Sequence, residues 1–322
     1  MAIIAVDGLS KHFPVRAGLA ARLFRGAKDG VLSAVDDVGF SVEAGETLGI
    51  VGESGCGKST TCLMVARLLS PSAGTIRLLG ADAPSIPLRD YRRNVQIIFQ
   101  DPYESLNPRM RVLDIVAEGP RALRLWPAAD IAARARAMLD RVGLDPARHG
   151  DSYPHELSGG ERQRVGIASA LILEPKLVIA DEPVSMLDVS IRADILDLLR
   201  GLQRESGFAC IYVSHDLSIV ANFADRLLVM YLGKTMETGQ AAELLSQPLN
   251  PYTRALVAAI PVPIPGHKRP PSAVHGDVAQ PVNPPPGCRF APRCPEAIAA
   301  CRETTPALAV KAPGHFAACH RV

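Results

Sequence analysis

Short apolar runs punctuate the first two-thirds of the chain. Thr47 to Val51, Val95 to Phe99, Leu177 to Ala180 and Cys210 to Val213 are each four or five residues long and show no polar-apolar alternation. Runs of that kind read as strands buried on both faces, as in a parallel sheet covered by helices. Between them the period lengthens. Ser59 to Leu69 reads as an amphipathic helix. So does Ile131 to Val142, with Ile131, Ala135, Met138, Leu139 and Val142 on one stripe. Residues 101 to about 160 read as mainly helical. Residues 1 to about 46 read as short strands, interrupted by a glycine- and arginine-containing insertion from Arg16 to Gly30. Beyond about residue 245 the pattern breaks. Nine of the 27 prolines fall between Pro261 and Pro286, a density that forbids regular helix and predicts an extended connector. Just before it, Asn250 to Leu256 begins a short apolar helix with Pro251 suited to the first turn.

Composition narrows the classes. The 322 residues suffice for one large domain and an appendage. A net charge of +2, from 35 basic and 33 acidic residues, is too balanced to imply nucleic-acid binding. The three arginines between Arg89 and Arg93 are interrupted by Asp90 and read as a solvated face. No run approaches the ~18 apolar residues of a membrane span. Met1 to Ala5 enters a strand-like pattern with no charged leader, so a cytosolic location is expected.

Three stretches carry chemistry. Gly52-Glu53-Ser54-Gly55-Cys56-Gly57-Lys58-Ser59-Thr60 fits G-x-x-x-x-G-K-[ST], between a predicted strand and a predicted helix. The glycines let main-chain N–H groups curl around phosphates, Lys58 reaches the β/γ oxygens, and Ser59 offers a hydroxyl to Mg²⁺. In the second, Leu177 to Ala180 ends in Asp181-Glu182, carboxylates at the ligand-binding edge of a parallel sheet. Asp181 is suited to Mg²⁺, and Glu182 to orienting or deprotonating a water. In the third, Leu157-Ser158-Gly159-Gly160-Glu161 reads as a helix start with bare N–H groups, a ready anion site.

Together these residues resemble the ATP-binding cassette (ABC) ATPases over roughly residues 1–245. The resemblance implies an α/β P-loop NTPase fold with an N-terminal antiparallel β subdomain, a helical subdomain at about 101–160 and a small Pro/Cys-rich C-terminal unit at 246–322. It implies further roles. Gln100 is the loop glutamine that touches Mg²⁺ and the attacking water, and Asp188 lies in the loop that crosses to a partner subunit. His215 is the histidine at the γ-phosphate, and Phe13 is the candidate adenine stack. Leu157 to Glu161 is the signature that completes the ATP site of a second subunit. Asp101 to Pro108, Asp181 to Ser185 and Asn250 to Leu256 are similar to segments of oligopeptide/dipeptide importer ATPases. That similarity implies import of peptides driven by ATP and Mg²⁺, from the cytoplasmic face of the membrane. The implied partners are a second ATPase, two membrane permeases and an extracytoplasmic binding protein. Related subunits serve nickel, sugar or glutathione importers. Soluble ABC ATPases of DNA repair or translation are the rival class, and a regulatory nucleotide-binding module without turnover is another. The first carries long coiled coils or paired cassettes that this chain lacks. Glu182 and His215 argue against the second. Met186 stands where many members carry alanine, and Ser169 where many carry arginine.

Four of the seven cysteines, Cys288, Cys294, Cys301 and Cys319, lie in the last 35 residues with spacing C-x5-C-x6-C-x17-C. A cytosolic location disfavours disulfides, and a small proline-rich unit with little core suggests a metal staple. The gaps exceed those of usual zinc sites. Resemblance to cysteine-bearing tails of importer ATPases favours a [4Fe–4S] cluster, with zinc or no metal as the alternatives. Cys56 and Cys62 read as small packing residues.

Overall fold

The computed structural model describes residues 2–15, 29–260 and 281–322. Most of the Arg16–Gly30 insertion and most of the proline-rich connector lie outside these residues. Instead of several short strands, the N-terminal region forms two 14-residue strands, β1 (Ala2–Val15) and β2 (Gly30–Glu43). β3 (Thr47–Val51) is buried at every residue, as its unbroken apolar run predicts. A helix at Lys58–Val65 follows, then β4 (Ala73–Leu78), β5 (Ala81–Asp82) and β6 (Val95–Ile98). The helical stretch holds Val112–Ala122, Ala128–Arg141 and Gly159–Leu171. Next come β7 (Leu177–Asp181), a long helix at Val189–Ser206, and β8 (Ala209–Ser214). β9 (Arg226–Tyr231), β10 (Lys234–Gln240), a helix at Pro251–Ala258, β11 (Ala309–Ala312) and β12 (His315–Ala317) complete the chain.

The chain divides into two compact units interleaved in sequence. One comprises Met1–Ile4, Val42–Thr47 and Arg77–Tyr212. Within it β6 and β7 pair in parallel, from Val95 opposite Leu177 to Ile98 opposite Ala180. The Val112–Ala122, Ala128–Arg141 and Gly159–Leu171 helices pack on one another. The predicted stripe is the packed face: Ile131, Ala135, Met138, Leu139 and Val142 are all buried. Each such side chain is worth about 1.5–3 kcal/mol of hydrophobic stabilisation if large and fully buried.

The other unit comprises Ala5–Ser41, Leu48–Ile76 and Val213–Val322. Here β3 pairs in parallel with β9, β9 antiparallel with β10, β10 with β12, and β12 with β11. The C-terminal segment is therefore stitched to β10. Buried Glu237 accepts hydrogen bonds from the N–H groups of Leu249 and Asn250, at 2.8 and 3.0 Å, and its Oε1 lies 2.7 Å from Nε2 of buried His315. Asn250 Nδ2 donates to the carbonyls of Met236 and Ala318, and its Oδ1 caps the Pro251–Ala258 helix by accepting from Tyr252 N–H. Asn250-Pro251 thus starts the helix where the sequence placed it.

Candidate active site

β3 delivers the glycine-rich loop at its C-terminal end. At Gly52, φ is +154°, and an added Cβ would lie 2.1 Å from the carbonyl oxygen of Met230, so no side chain fits. At Gly57, φ is +106°, and a Cβ would lie 2.3 Å from the carbonyl oxygen of Ala34. Both positions demand the backbone freedom of glycine. Gly57 precedes the first turn of the Lys58–Val65 helix, which has no side-chain cap and no acid in that turn. The positive end of its dipole therefore meets the loop without a carboxylate of its own. The helix stops at Val65, short of the predicted Leu69, because Arg67 takes a left-handed φ of 55° and turns the chain.

Lys58 is 6% exposed, and its ammonium donates to the carbonyls of Gly52 (2.8 Å) and Glu53 (3.0 Å). The Cys56 thiol lies 3.8 Å from it. Burial pushes the Cys56 thiol above its ordinary pKa, outweighing the Lys58 charge. Ser54, Gly55 and Ser59 are exposed and Thr60 is half-buried. His215 is exposed just beyond β8. Its neighbour Asp216 is fixed, donating its N–H to Ser214 Oγ and capping the Leu217–Phe223 helix through Ser218 N–H.

In the other unit Gln100 and Glu182 come together. Gln100 Nε2 donates to Glu182 Oε2 at 3.0 Å, although 82 residues separate them. Glu182 follows half-buried Asp181 at the tip of β7 and holds a left-handed φ of 47°. A non-glycine residue there costs of order 1–3 kcal/mol and marks a locally over-determined position. Ser185 supplies part of that restraint, donating both N–H and Oγ–H to the Glu182 carbonyl. β6 ends at Ile98, one residue early, leaving Phe99 43% exposed beside Gln100.

Leu157 is buried, and exposed Ser158 caps the Gly159–Leu171 helix. The expected bare N–H groups are in part satisfied from within. Ser158 Oγ accepts from Glu161 N–H at 3.3 Å, and the Glu161 carboxylate accepts from Ser158 N–H at 2.8 Å and Oγ–H at 2.7 Å. Those bonds hold the Glu161 carboxyl below the usual range. Asp188, exposed, starts the Val189–Ser206 helix. Arg192 braces its loop by donating to the carbonyls of Leu187 (2.8 Å) and Ser185 (3.3 Å), a role with no sequence signal. Met186 is 61% exposed, and Ser169 bonds within its own helix to the Gly166 carbonyl. Phe13 is half-buried near the end of β1, with the Lys11 ammonium 5.1 Å from its ring.

Sequence reading also missed Tyr252 and Arg293. The Tyr252 hydroxyl accepts from Glu53 N–H at 3.0 Å, and the Arg293 guanidinium forks the Glu53 carboxylate at 2.7 and 3.1 Å. Nearby, Cys288, Cys294, Cys301 and Cys319 line one cavity with Phe290, Ala291 and Met236. A ready ligand set does not follow from it: among the described residues no three or more His, Cys, Asp or Glu side chains are grouped to hold a metal ion. Neither the expected [4Fe–4S] cluster nor the zinc alternative therefore finds a formed site among the described residues.

Comparison with known proteins places these features. Residues 35–185 match the ABC transporter family, and residues 236–301 match the oligopeptide/dipeptide transporter C-terminal region. The oligopeptide transport ATP-binding protein AppF of Bacillus subtilis is 45% identical over 324 residues, covering 99% of this chain and 97% of AppF. Among solved structures, cbiO1 of Clostridium perfringens, part of the ABC transporter complex cbiONQ, superposes with a TM-score of 0.63 at 28% identity. It covers 76% of this chain and 91% of its own. The ATP-binding cassette MJ0796, in a post-hydrolysis state with ADP and phosphate, has the same TM-score at 24% identity over 74% of this chain and 98% of its own, a likeness of fold.

Proposed function

This chain belongs to the ABC transporter ATP-binding proteins, and we propose that it binds and hydrolyses ATP to power peptide import through partner membrane subunits. The observation that carries the reading is the loop 52–57 with Lys58 buried on its carbonyls at a helix start lacking its own counter-charge. Peptide cargo is supported by the C-terminal match and by the name AppF carries, which also favour transport over repair or translation. Nickel, sugar and glutathione remain the alternative cargoes of this class.

In the proposed mechanism the loop N–H groups and Lys58 bind the ATP phosphates. Ser59, Asp181 and Gln100 are the residues that would hold Mg²⁺, whose chemistry is to neutralise phosphate charge. Glu182, restrained in its left-handed turn and hydrogen-bonded to Gln100, orients and deprotonates the attacking water, with His215 facing the γ-phosphate. Ser158 to Glu161 contact the ATP of a second subunit, and Asp188 lies at that crossing. Among the described residues no helix is long and apolar enough to cross a membrane. Residues 1–245 are read as the ATPase and 246–322 as the extension. The assembly is read as a second ATPase, two permeases and an extracytoplasmic binding protein, with this chain peripheral on the cytoplasmic face.

Replacing Glu182 by Gln keeps the shape and removes the base. MgATP binding is expected to persist while hydrolysis falls by about 100-fold or more. If the partner is a paralogue, its own base is substituted as well. Near-normal steady-state hydrolysis by such a doubly substituted dimer would refute the assignment.

The finer reading of the tail is that Cys288, Cys294, Cys301 and Cys319 hold a [4Fe–4S] cluster. It is supported by four thiols lining one cavity, a donor set that suits iron–sulfur ligation. The group would act as a structural staple.

A further inference from the structure

We propose that the C-terminal segment positions the phosphate-binding loop: Arg293 and Tyr252 fix Glu53, and through it the carbonyls that hold Lys58. The proposal rests on reading that loop as the nucleotide site. Glu53 is pinned at three points. Its N–H donates to the Tyr252 hydroxyl, 199 residues away in sequence. Its carboxylate receives two parallel bonds from Arg293, 240 residues away. Its carbonyl, with that of Gly52, accepts from Lys58. A displaced Glu53 therefore moves the seat of the lysine that is to meet the phosphates.

The supports are themselves rigid. Tyr231, Tyr252 and Phe290 are each 1% exposed, with ring centroids 4.7, 5.3 and 5.2 Å apart. Arg293 sits one turn from Phe290, its N–H donating to the Phe290 carbonyl at 2.9 Å, and its Nη1 also donates to the Tyr231 hydroxyl at 3.2 Å. The main-chain N–H of Tyr252 is held by the Asn250 cap. The Arg293 side chain is 12% exposed and that of Glu53 27%, so the fork is shielded from most of the solvent. Bidentate, charge-assisted bonds of this kind are the strong ones, and only arginine offers the planar fork. Arg293 and Tyr252 are thus positioning residues, acting on the nucleotide through Glu53.

The test is calorimetric titration of the full-length chain with the magnesium salt of adenylyl imidodiphosphate, alongside thermal melting. Arg293→Met is expected to weaken binding about tenfold. Arg293→Lys should recover part of that loss, because it restores charge without the fork. Tyr252→Phe should weaken binding about threefold. Glu53→Gln should also weaken it, and the Glu53→Gln/Arg293→Met double variant should bind no worse than Arg293→Met alone, since both sever one link. A lower melting midpoint with unchanged affinity in Arg293→Met would mean mere anchoring of the tail and would overturn the proposal, as would additive losses in the double variant. Should Arg293→Met not fold, the near-isosteric Tyr252→Phe and Glu53→Gln decide, and unchanged affinity in both overturns it. A wild-type chain that binds no nucleotide overturns the nucleotide reading and this proposal with it, whereas wild-type binding with indifferent variants strikes the coupling alone.

Discussion

Cys56 sits in the middle of the phosphate loop, yet its environment opposes reaction. It is 1% exposed, and burial raises its thiol pKa despite Lys58 nearby. The thiolate is the nucleophile, so at neutral pH both access and ionisation oppose reaction. With any bound metal stripped by chelator, iodoacetamide at pH 7, read by peptide mass spectrometry, should modify the half-buried Cys294 and Cys319 before Cys56 or equally buried Cys62. Raising the pH toward the elevated thiol pKa should narrow the difference. Cys56 modified first would show that the loop opens readily. Glu182 follows the same logic of environment over identity. Its proposed role as a base was read from an apolar run ending in two acids, whereas its left-handed backbone has no sequence signal and its bond to Gln100 joins residues 82 positions apart.

At the level of the element, the Gly159–Leu171 helix shows how a motif proposed to contact nucleotide also closes its own helix start. Its start is closed by the reciprocal Ser158–Glu161 bonds, worth about 1 kcal/mol. Those bonds favour the ionised Glu161 and lower its pKa, with His149 Nε2 3.4 Å away adding to the effect. Since the folded pKa is the depressed one, this contribution is complete above the ordinary carboxylate value of about 4.3 and fades as pH falls through the folded value. Solvent at the partly exposed carboxylate moderates it. Glu161→Gln should lower the melting midpoint at pH 7, and the gap from wild type should shrink by pH 3. A gap independent of pH would assign the loss to packing instead. Period and punctuation made such elements readable: Asn250-Pro251 and the Ile131–Val142 stripe appear as expected, and a helix does start at Ser158, though its bare N–H groups are partly satisfied by Ser158 and Glu161. Their ends were less readable. Arg67 turns the chain out of its helix and β6 stops before Phe99, and no local pattern announces either end.

Across the whole chain, the long-range ties of the C-terminal segment were the least legible part, because they involve single residues with no motif. Arg293, Tyr252, Glu237 and His315 look ordinary in sequence, yet they join that segment to the phosphate loop and to β10. What the sequence did announce is a shortage of core. Phe290 is the one large apolar side chain buried between residues 281 and 322, while Ile298, Leu308 and Val310 are exposed. With so little apolar burial of its own, the segment leans on the rest of its unit through β10 and Glu53, and a staple would add to those ties. The proposed staple is a cluster on the four thiols that line one cavity; burial raises the thiol pKa of Cys288 and Cys294, with Cys301 adding to the first and the Glu296 charge to the second. A cluster bound there would release the thiol protons, and its stabilisation would be inseparable from folding of the tail. Anaerobic purification should therefore give brown protein with about four irons per chain. Cys301→Ser should lose the colour and make residues 281–322 the first region cut by protease, with the P-loop unit otherwise folded. Colourless wild-type protein, without iron after anaerobic reconstitution and with a protease-resistant tail, would show that the hydrogen bonds of Glu237, Asn250 and Arg293 hold the segment unaided.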